Sequence, residues 1–465
     1  MIDAPTGDRI DLVVLGAGPG GYAAAFRAAD LGLDVVLVER HERLGGVCLN
    51  VGCIPSKALL HVAKLVTDAE AAREAGLAFA APGIDLDGVR AFKDGAVEKL
   101  TSGLVALAKG RRVRVVRGEA RFTGPSSLRV GEEELVFAHC IVAAGSEPIA
   151  LGDLPDDPRI VDSTGALELT DVPGRLLVVG GGIIGLEMAT VYDALGSRVT
   201  VVELADQLIP GCDPDLVKPL HKRIAQRYAA IHLGTRVEGI ETSGDGLHVS
   251  FAGGQHVFDR VLIAVGRAPN GAKLGLDAAG VGVDDRGFVP VDAQLRTNVP
   301  QILAVGDVCR GPMLAHKATH EGHLAAEVVA GHAVTWDVRA MPSVAYTDPE
   351  IAWTGLTELD AKAAKTEYEK AVFPWAASGR ALSTGRAEGS TKLLYEPATR
   401  RVLGGGIVGP GAGELIAELA LAVELAADVE DVALTVHPHP TLSETVGLAA
   451  EAGAGTITDL PKRRG

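Results

Sequence analysis

The chain has 465 residues, 47% apolar and 22% charged, with 58 glycines but only 4% aromatics. At roughly 150 residues per domain this is a multidomain globular chain, and the glycine excess favours alternating α/β units with many tight turns. A formal net charge of −16 argues against phosphate-backbone binding, so no nucleic acid partner is expected. No uninterrupted apolar run of about 18 residues is present, and Asp3, Asp8 and Asp11 occupy the stretch where a basic leader would stand. The expectation is a cytoplasmic protein without membrane insertion. The five cysteines, Cys48, Cys53, Cys140, Cys212 and Cys309, form no disulfide framework for a chain of this size, so a disulfide here would be chemical rather than structural.

Residues 11–15 read as a strand, Gly16 to Gly21 as a turn, the Ala-rich segment to about Leu31 as a helix, and residues 34–39 as a second strand. Gly16, Gly18 and Gly21 are followed by Glu39 after 18 residues. The pattern repeats: residues 176–179 lead into Gly180, Gly182 and Gly185, a helix runs from about Ile183 to Leu195, and Glu203 ends the next strand, again 18 residues after the third glycine. Two such units, each with its acid, predict two dinucleotide sites. The first two glycines let backbone reach a pyrophosphate, the helix N-terminus offers N–H donors, and the acid accepts from ribose hydroxyls.

Just after the first unit, residues 44–57 read Leu-Gly-Gly-Val-Cys-Leu-Asn-Val-Gly-Cys-Ile-Pro-Ser-Lys. Pro55, Ser56 and Lys57 look like a helix's first turn, which puts Cys53 where the dipole favours thiolate. The four residues between Cys48 and Cys53 allow a small disulfide loop with one sulfur deeper than the other. Two free cysteines, or half a zinc site, are the other readings, although no second Cys/His pair at metal spacing completes four ligands, and no metal is expected.

Apolar runs ending at Gly145, Gly266 and Asp307 read as chain crossings between the nucleotide units. From about Met341 the glycine fingerprints stop and a separate domain begins, with a helix from about Gly413 to Ala427. Its block His437-Pro438-His439-Pro440-Thr441-Leu442-Ser443-Glu444 holds an imidazole that can take a proton near neutral pH and a carboxylate able to fix its tautomer.

The Cys48–Cys53 spacing behind such a fingerprint resembles the flavin disulfide reductases, the class I pyridine nucleotide-disulfide oxidoreductases. The wording of residues 45–57 is similar to the dihydrolipoamide dehydrogenases among them, and the likeness spans residues 12–460. It implies two Rossmann-like dinucleotide-binding domains plus a C-terminal α+β dimerisation domain: FAD-binding residues 1–148 and 271–340, NAD-binding residues 149–270, and an interface domain over 341–465. It implies catalytic roles for the Cys48–Cys53 redox disulfide, the His439–Glu444 base pair, and Lys57 with Glu187. Tightly bound FAD would meet Gly16, Gly18, Gly21, Glu39, Gly46, Val47, Lys57, Ala120, Gly145, Asp307, Leu314, Ala315 and His316. NAD would meet Gly180, Gly182, Ile183, Ile184, Gly185, Glu187, Glu203, Val237, Val265, Gly266 and Arg267. His437 would serve structure.

The same resemblance implies a homodimer that oxidises dihydrolipoyl groups and reduces NAD⁺. Those groups would be presented by lipoyl domains of acyltransferase subunits in 2-oxoacid dehydrogenase complexes or by the glycine cleavage carrier protein. With no lipoyl-like stretch read before Asp11, that group is expected on a partner chain. Two relatives fit less well. Glutathione reductases use NADPH and need arginines where Glu203-Leu204-Ala205-Asp206 stands, and mercuric reductases need a C-terminal cysteine pair, whereas no cysteine follows Cys309.

Overall fold

The structure is a computed structural model that describes residues 9–152 and 154–461; Asp3 and Asp8, read above for a leader, lie outside the described residues. The first unit is built as expected. Strands Ile10–Leu15 and Val35–Glu39 run parallel around helix Pro19–Asp30. Both strands are nearly uninterrupted Val/Leu runs, which only a sheet covered on both faces can bury. Ile10–Leu15 pairs on its other side with Glu133–Val142, and Ile302–Ala304 joins that strand in parallel, so the chain returns to its first sheet from far downstream. Helix Ala315–Val329 then packs on Pro19–Asp30 so tightly that a Cβ on Gly322 would lie 2.3 Å from the Gly20 carbonyl.

Between the two halves of this first sheet lies a second, all-parallel sheet in the order Ala230–His232, Arg198–Val202, Arg175–Val179, Arg260–Ile263, Ile160–Val161. Its central strand feeds helix Ile183–Leu195. An antiparallel three-stranded sheet, residues 237–258, covers one side. The two crossings meet in a ribbon, Ser146–Pro148 against Arg267–Pro269.

The C-terminal domain is an antiparallel five-stranded sheet backed by helices Ala412–Glu424 and Glu444–Ala454, around a core that includes Trp375, Ile416 and Val446. The first of these helices stops three residues earlier than its composition suggested. Ala426 turns left-handed at φ 53°, and Asp428 caps the next helix. This domain leaves Leu421, Leu425, Leu434 and Val436 exposed, the last at 94%. It is bolted to the second sheet's domain by Lys392, 1% exposed, whose ammonium lies 2.7 Å from Asp213, 2.7 Å from Asp215 and 2.9 Å from Glu358.

Around the cysteines the structure differs from the expected loop. Gly46–Val51 is a short helix that breaks at Gly52, and Cys53–Ala71 is a long one. By length and composition alone the combined stretch Gly46–Ala75 could cross a membrane. Here it is bent at Gly52 and lends Cys48, Cys53 and Lys57 to the central cleft.

Candidate active site

The two glycine turns are built alike. Gly16 has φ 97° and Gly180 has φ 109°, and a Cβ on them would come within 2.4 Å of the Ala143 carbonyl and 2.3 Å of the Ala264 carbonyl. The crossing strands therefore press on the turns, and only glycine fits. A Cβ on Gly18 would meet only the Gly46 Cα at 3.8 Å and one on Gly182 nothing, and both glycines precede helices whose first turns carry neither a side-chain cap nor an acid. Those free N–H groups and dipoles suit a pyrophosphate in each turn. Gly21 and Gly185 do not reach the cleft. Their Cβ positions fall 1.7 Å and 2.2 Å from the turn carbonyls of Gly16 and Gly180, so these glycines seat the helices rather than touch a ligand.

Both turns open on one cleft of about 1430 Å³. All the other residues singled out for FAD and NAD line it, from Glu39, Gly46 and Val47 to Val237, Val265 and Arg267. Glu39 is buried, with Oε2 accepting from the Ala17 N–H at 2.8 Å and Oε1 from the His41 N–H at 2.9 Å. Gly46 stands where it does because a Cβ would meet the Gly18 Cα at 2.6 Å, which presses the cysteine segment onto the first cradle. These two cradles fit FAD and a nicotinamide dinucleotide.

Cys48 and Cys53 both line the cleft as thiols, Cys48 half-buried and Cys53 exposed to it. The interaction between the two cysteine side chains dominates both acidities. Helped by the Lys57 charge and opposed by burial, it lowers Cys53 to about 7. The same interaction, with burial, pushes Cys48 upward. Cys53 is also the first residue of its helix, as the sequence predicted. The direction of both shifts favours Cys53 over Cys48 as the thiolate of the pair.

Lys57 Nζ reaches both Glu187 oxygens at 2.9 Å, with Glu187 3% exposed. Tyr346, which sequence reasoning did not identify, completes this pair: its ring lies 4.5 Å from Lys57 Nζ and its N–H donates to Glu187 Oε1 at 3.2 Å. No local pattern marks that tyrosine, because it comes from the C-terminal domain. His316 is fixed by the Pro342 carbonyl at 2.8 Å, and burial lowers its pKa.

The His439–Glu444 pair is formed, Nδ1 to Oε2 at 2.9 Å, but the His439 side chain is 79% exposed and neither residue lines the cleft with the cysteines. His437 is instead held between Glu418 at 2.6 Å and the Thr435 carbonyl at 2.9 Å.

The fold and cleft define a two-dinucleotide disulfide oxidoreductase, and comparison with known proteins agrees. The chain matches the pyridine nucleotide-disulphide oxidoreductase family over residues 10–322 and that family's dimerisation domain over residues 341–450. It belongs to this family, which makes it a flavoprotein oxidoreductase, and the dimerisation domain supports a homodimer. Among its relatives, the dihydrolipoyl dehydrogenase of Vibrio cholerae serotype O1 is 55% identical over 98% of each chain. That of Haemophilus influenzae is 54% identical over 98% of this chain and 97% of the relative. The crystal structure of LpdA from Mycobacterium tuberculosis matches with a TM-score of 0.88 at 27% identity, covering 95% of this chain and 99% of that one. A Cu(II) complex of the HOCl-induced flavoprotein disulfide reductase RclA from Escherichia coli gives 0.86 at 26% identity, covering 96% and 99%.

Proposed function

We propose that this chain is a dihydrolipoyl dehydrogenase, which converts a dihydrolipoyl dithiol and NAD⁺ into the lipoyl disulfide, NADH and a proton. The observation that carries the reading is the convergence of Cys48, Cys53, Lys57 and Glu187 on one cleft with both dinucleotide cradles. The relatives at 55% and 54% identity over nearly the whole chain support the substrate.

In the oxidised enzyme Cys48 and Cys53 form a disulfide. His439 takes the proton of a substrate thiol, and Glu444 holds its ring and stabilises the imidazolium. The substrate thiolate attacks Cys48 and releases Cys53 as thiolate, the species its pKa near 7 favours. The second substrate thiolate then displaces Cys48 and closes the lipoyl ring. The cysteine pair now holds two electrons as a dithiol. Gly16, Gly18 and Asp307 would hold FAD in the first cradle and Gly180 and Gly182 the nicotinamide coenzyme in the second, and the flavin would supply two-electron transfer between the cysteine pair and NAD⁺. Lys57, bound to both Glu187 oxygens at 2.9 Å, lines the cleft that the two cradles share, and Glu203 selects NAD over NADP.

The exposure of His439, and the dimerisation domain that carries it, support a site shared across the dimer, with His439 and Glu444 serving the partner subunit's cysteine pair. The substrate arm would be a lipoyl domain of an acyltransferase subunit or the glycine cleavage carrier protein, in the cytoplasm. The test is NADH formation at 340 nm by the purified flavoprotein with NAD⁺ and either dihydrolipoamide or reduced glutathione. Turnover with dihydrolipoamide alone is expected, and turnover with glutathione but not dihydrolipoamide overturns the assignment.

A further inference from the structure

Ser146 sits at the start of the ribbon that joins the two crossings and is 4% exposed. Its hydroxyl donates to Asp307 Oδ2 at 2.6 Å, while Arg267 donates to it from Nε at 2.7 Å and to its backbone carbonyl at 2.7 Å. A guanidinium can only donate, so Arg267 occupies a lone pair on Ser146 Oγ and directs the single hydroxyl proton toward Asp307. Among the described residues, this is the one hydrogen bond made to the Asp307 side chain.

The turn that carries Asp307 is fixed from behind as well. Glu321 Oε2 accepts the Gly306 N–H at 2.7 Å, and Lys317 pairs with Glu321 at 2.8 Å in a site where both side chains are nearly inaccessible. Two residues before Ser146 in the chain, the Ala144 carbonyl accepts a hydrogen bond from the Asn270 amide nitrogen at 2.9 Å. Asn270 Oδ1 is buried without a partner in a residue that lines the same cleft. A buried acceptor left open and an oriented carboxylate in the lining of one cleft suit a hydroxylated ligand.

We propose that Ser146 is a positioning residue: it aims the Asp307 carboxylate at the hydroxyl groups of the flavin dinucleotide's sugar-like chain, and Arg267 fixes the direction of the Ser146 proton. This rests on the reading that the first cradle takes FAD. Ser146 touches no reacting atom and acts through Asp307. Its carbonyl, which holds Arg267, survives replacement by alanine, so the nicotinamide-side loop keeps its anchor.

The test is FAD binding to flavin-free protein, followed by quenching of flavin fluorescence, with NADH binding measured in parallel. Ser146→Ala should weaken FAD about tenfold, the loss expected for one hydrogen bond to a charged group. Asp307→Asn should weaken it at least as much. The double variant should be no weaker than Asp307→Asn alone, because the hydroxyl then has no carboxylate to aim. NADH affinity should stay within about twofold throughout. Ser146→Cys, which keeps the shape but donates weakly, should also lose affinity and answers the question if the alanine chain does not fold.

Normal FAD affinity in Ser146→Ala, losses that multiply in the double variant, or a parallel fall in NADH affinity would each overturn the positioning role. Failure of the unmutated chain to bind FAD would overturn the flavin reading itself.

Discussion

Glu203 accepts the backbone N–H of Gly181 at 2.6 Å through Oε2, and that of Ala205 at 2.7 Å through Oε1. The acid at the end of the second unit therefore shapes its own glycine turn before it meets any ribose, as Glu39 does in the first unit. Each oxygen still has a lone pair for a ribose hydroxyl, and the charge still opposes a 2′-phosphate. Replacement should thus have two separable effects. Glu203→Gln and Glu203→Ala should both lower the ratio of kcat/KM for NAD⁺ over NADP⁺, by about tenfold or more. Glu203→Ala should also lose efficiency with NAD⁺ itself, because two backbone donors lose their acceptor. Steady-state kinetics with both coenzymes decides; an unchanged ratio in both variants removes Glu203 from coenzyme choice.

The two cysteines should react unequally. In reduced, flavin-free protein, alkylation of Cys53 by iodoacetamide should rise with pH and level off above about 7, where its thiolate becomes the main form. Cys48, pushed upward, should stay largely unmodified over the same range. Peptide mass spectrometry reads both sites. In FAD-loaded protein, Cys48→Ser should retain a long-wavelength thiolate-to-flavin band and Cys53→Ser should lack it. The opposite pattern would exchange their roles.

His439 and Glu444 are paired, yet they lie off the cleft that the cysteines line. In an isologous dimer, co-refolding Cys48→Ser chains with His439→Gln chains produces mixed dimers with one site carrying both lesions and one carrying neither. With random pairing the mixture should recover about a quarter of unmutated activity from two nearly inactive parents. A site built within one chain predicts only parental activity.

Lys392 is enclosed by three carboxylates that join two domains. Lys392→Met would leave those acids facing one another, and breaking a buried cluster of this kind costs about 3–5 kcal/mol. A large fall in Tm is expected on calorimetry, and an unchanged Tm would mean the cage contributes nothing to domain docking. Burial raises the Glu358 pKa, but hydrogen bonds from Lys392 and Lys370 outweigh it and bring the group to about 2, below its ordinary 4.5. Its contribution to stability is therefore complete above 4.5 and is lost as the pH falls toward 2. Glu358→Gln should flatten the stability profile across that window in urea titrations.

The sequence by itself determined the parts of this protein whose cause is local. Two glycine turns, their strands and their closing acids are readable because a positive φ at Gly16 and Gly180 is a constraint felt within a few residues. The helix start at Cys53 is readable for the same reason, through Pro55 and the segment that follows. The His439–Glu444 pair spans only five residues, and its chemistry was legible through family likeness.

Tertiary structure alone decided which distant groups meet. Lys57 and Glu187 lie 130 residues apart, Ser146 and Asp307 161, and Lys392 and Asp213 179. Family likeness suggested only the first of these pairs. No periodicity encodes such meetings, because they follow from the order of strands in a sheet and from how one domain docks on another. Tyr346 reaches the Lys57–Glu187 pair only because the C-terminal sheet packs there. The same physics left the third glycines off the cleft: spacing marks Gly21 and Gly185, but only the packed helix shows that they fill against their own turn.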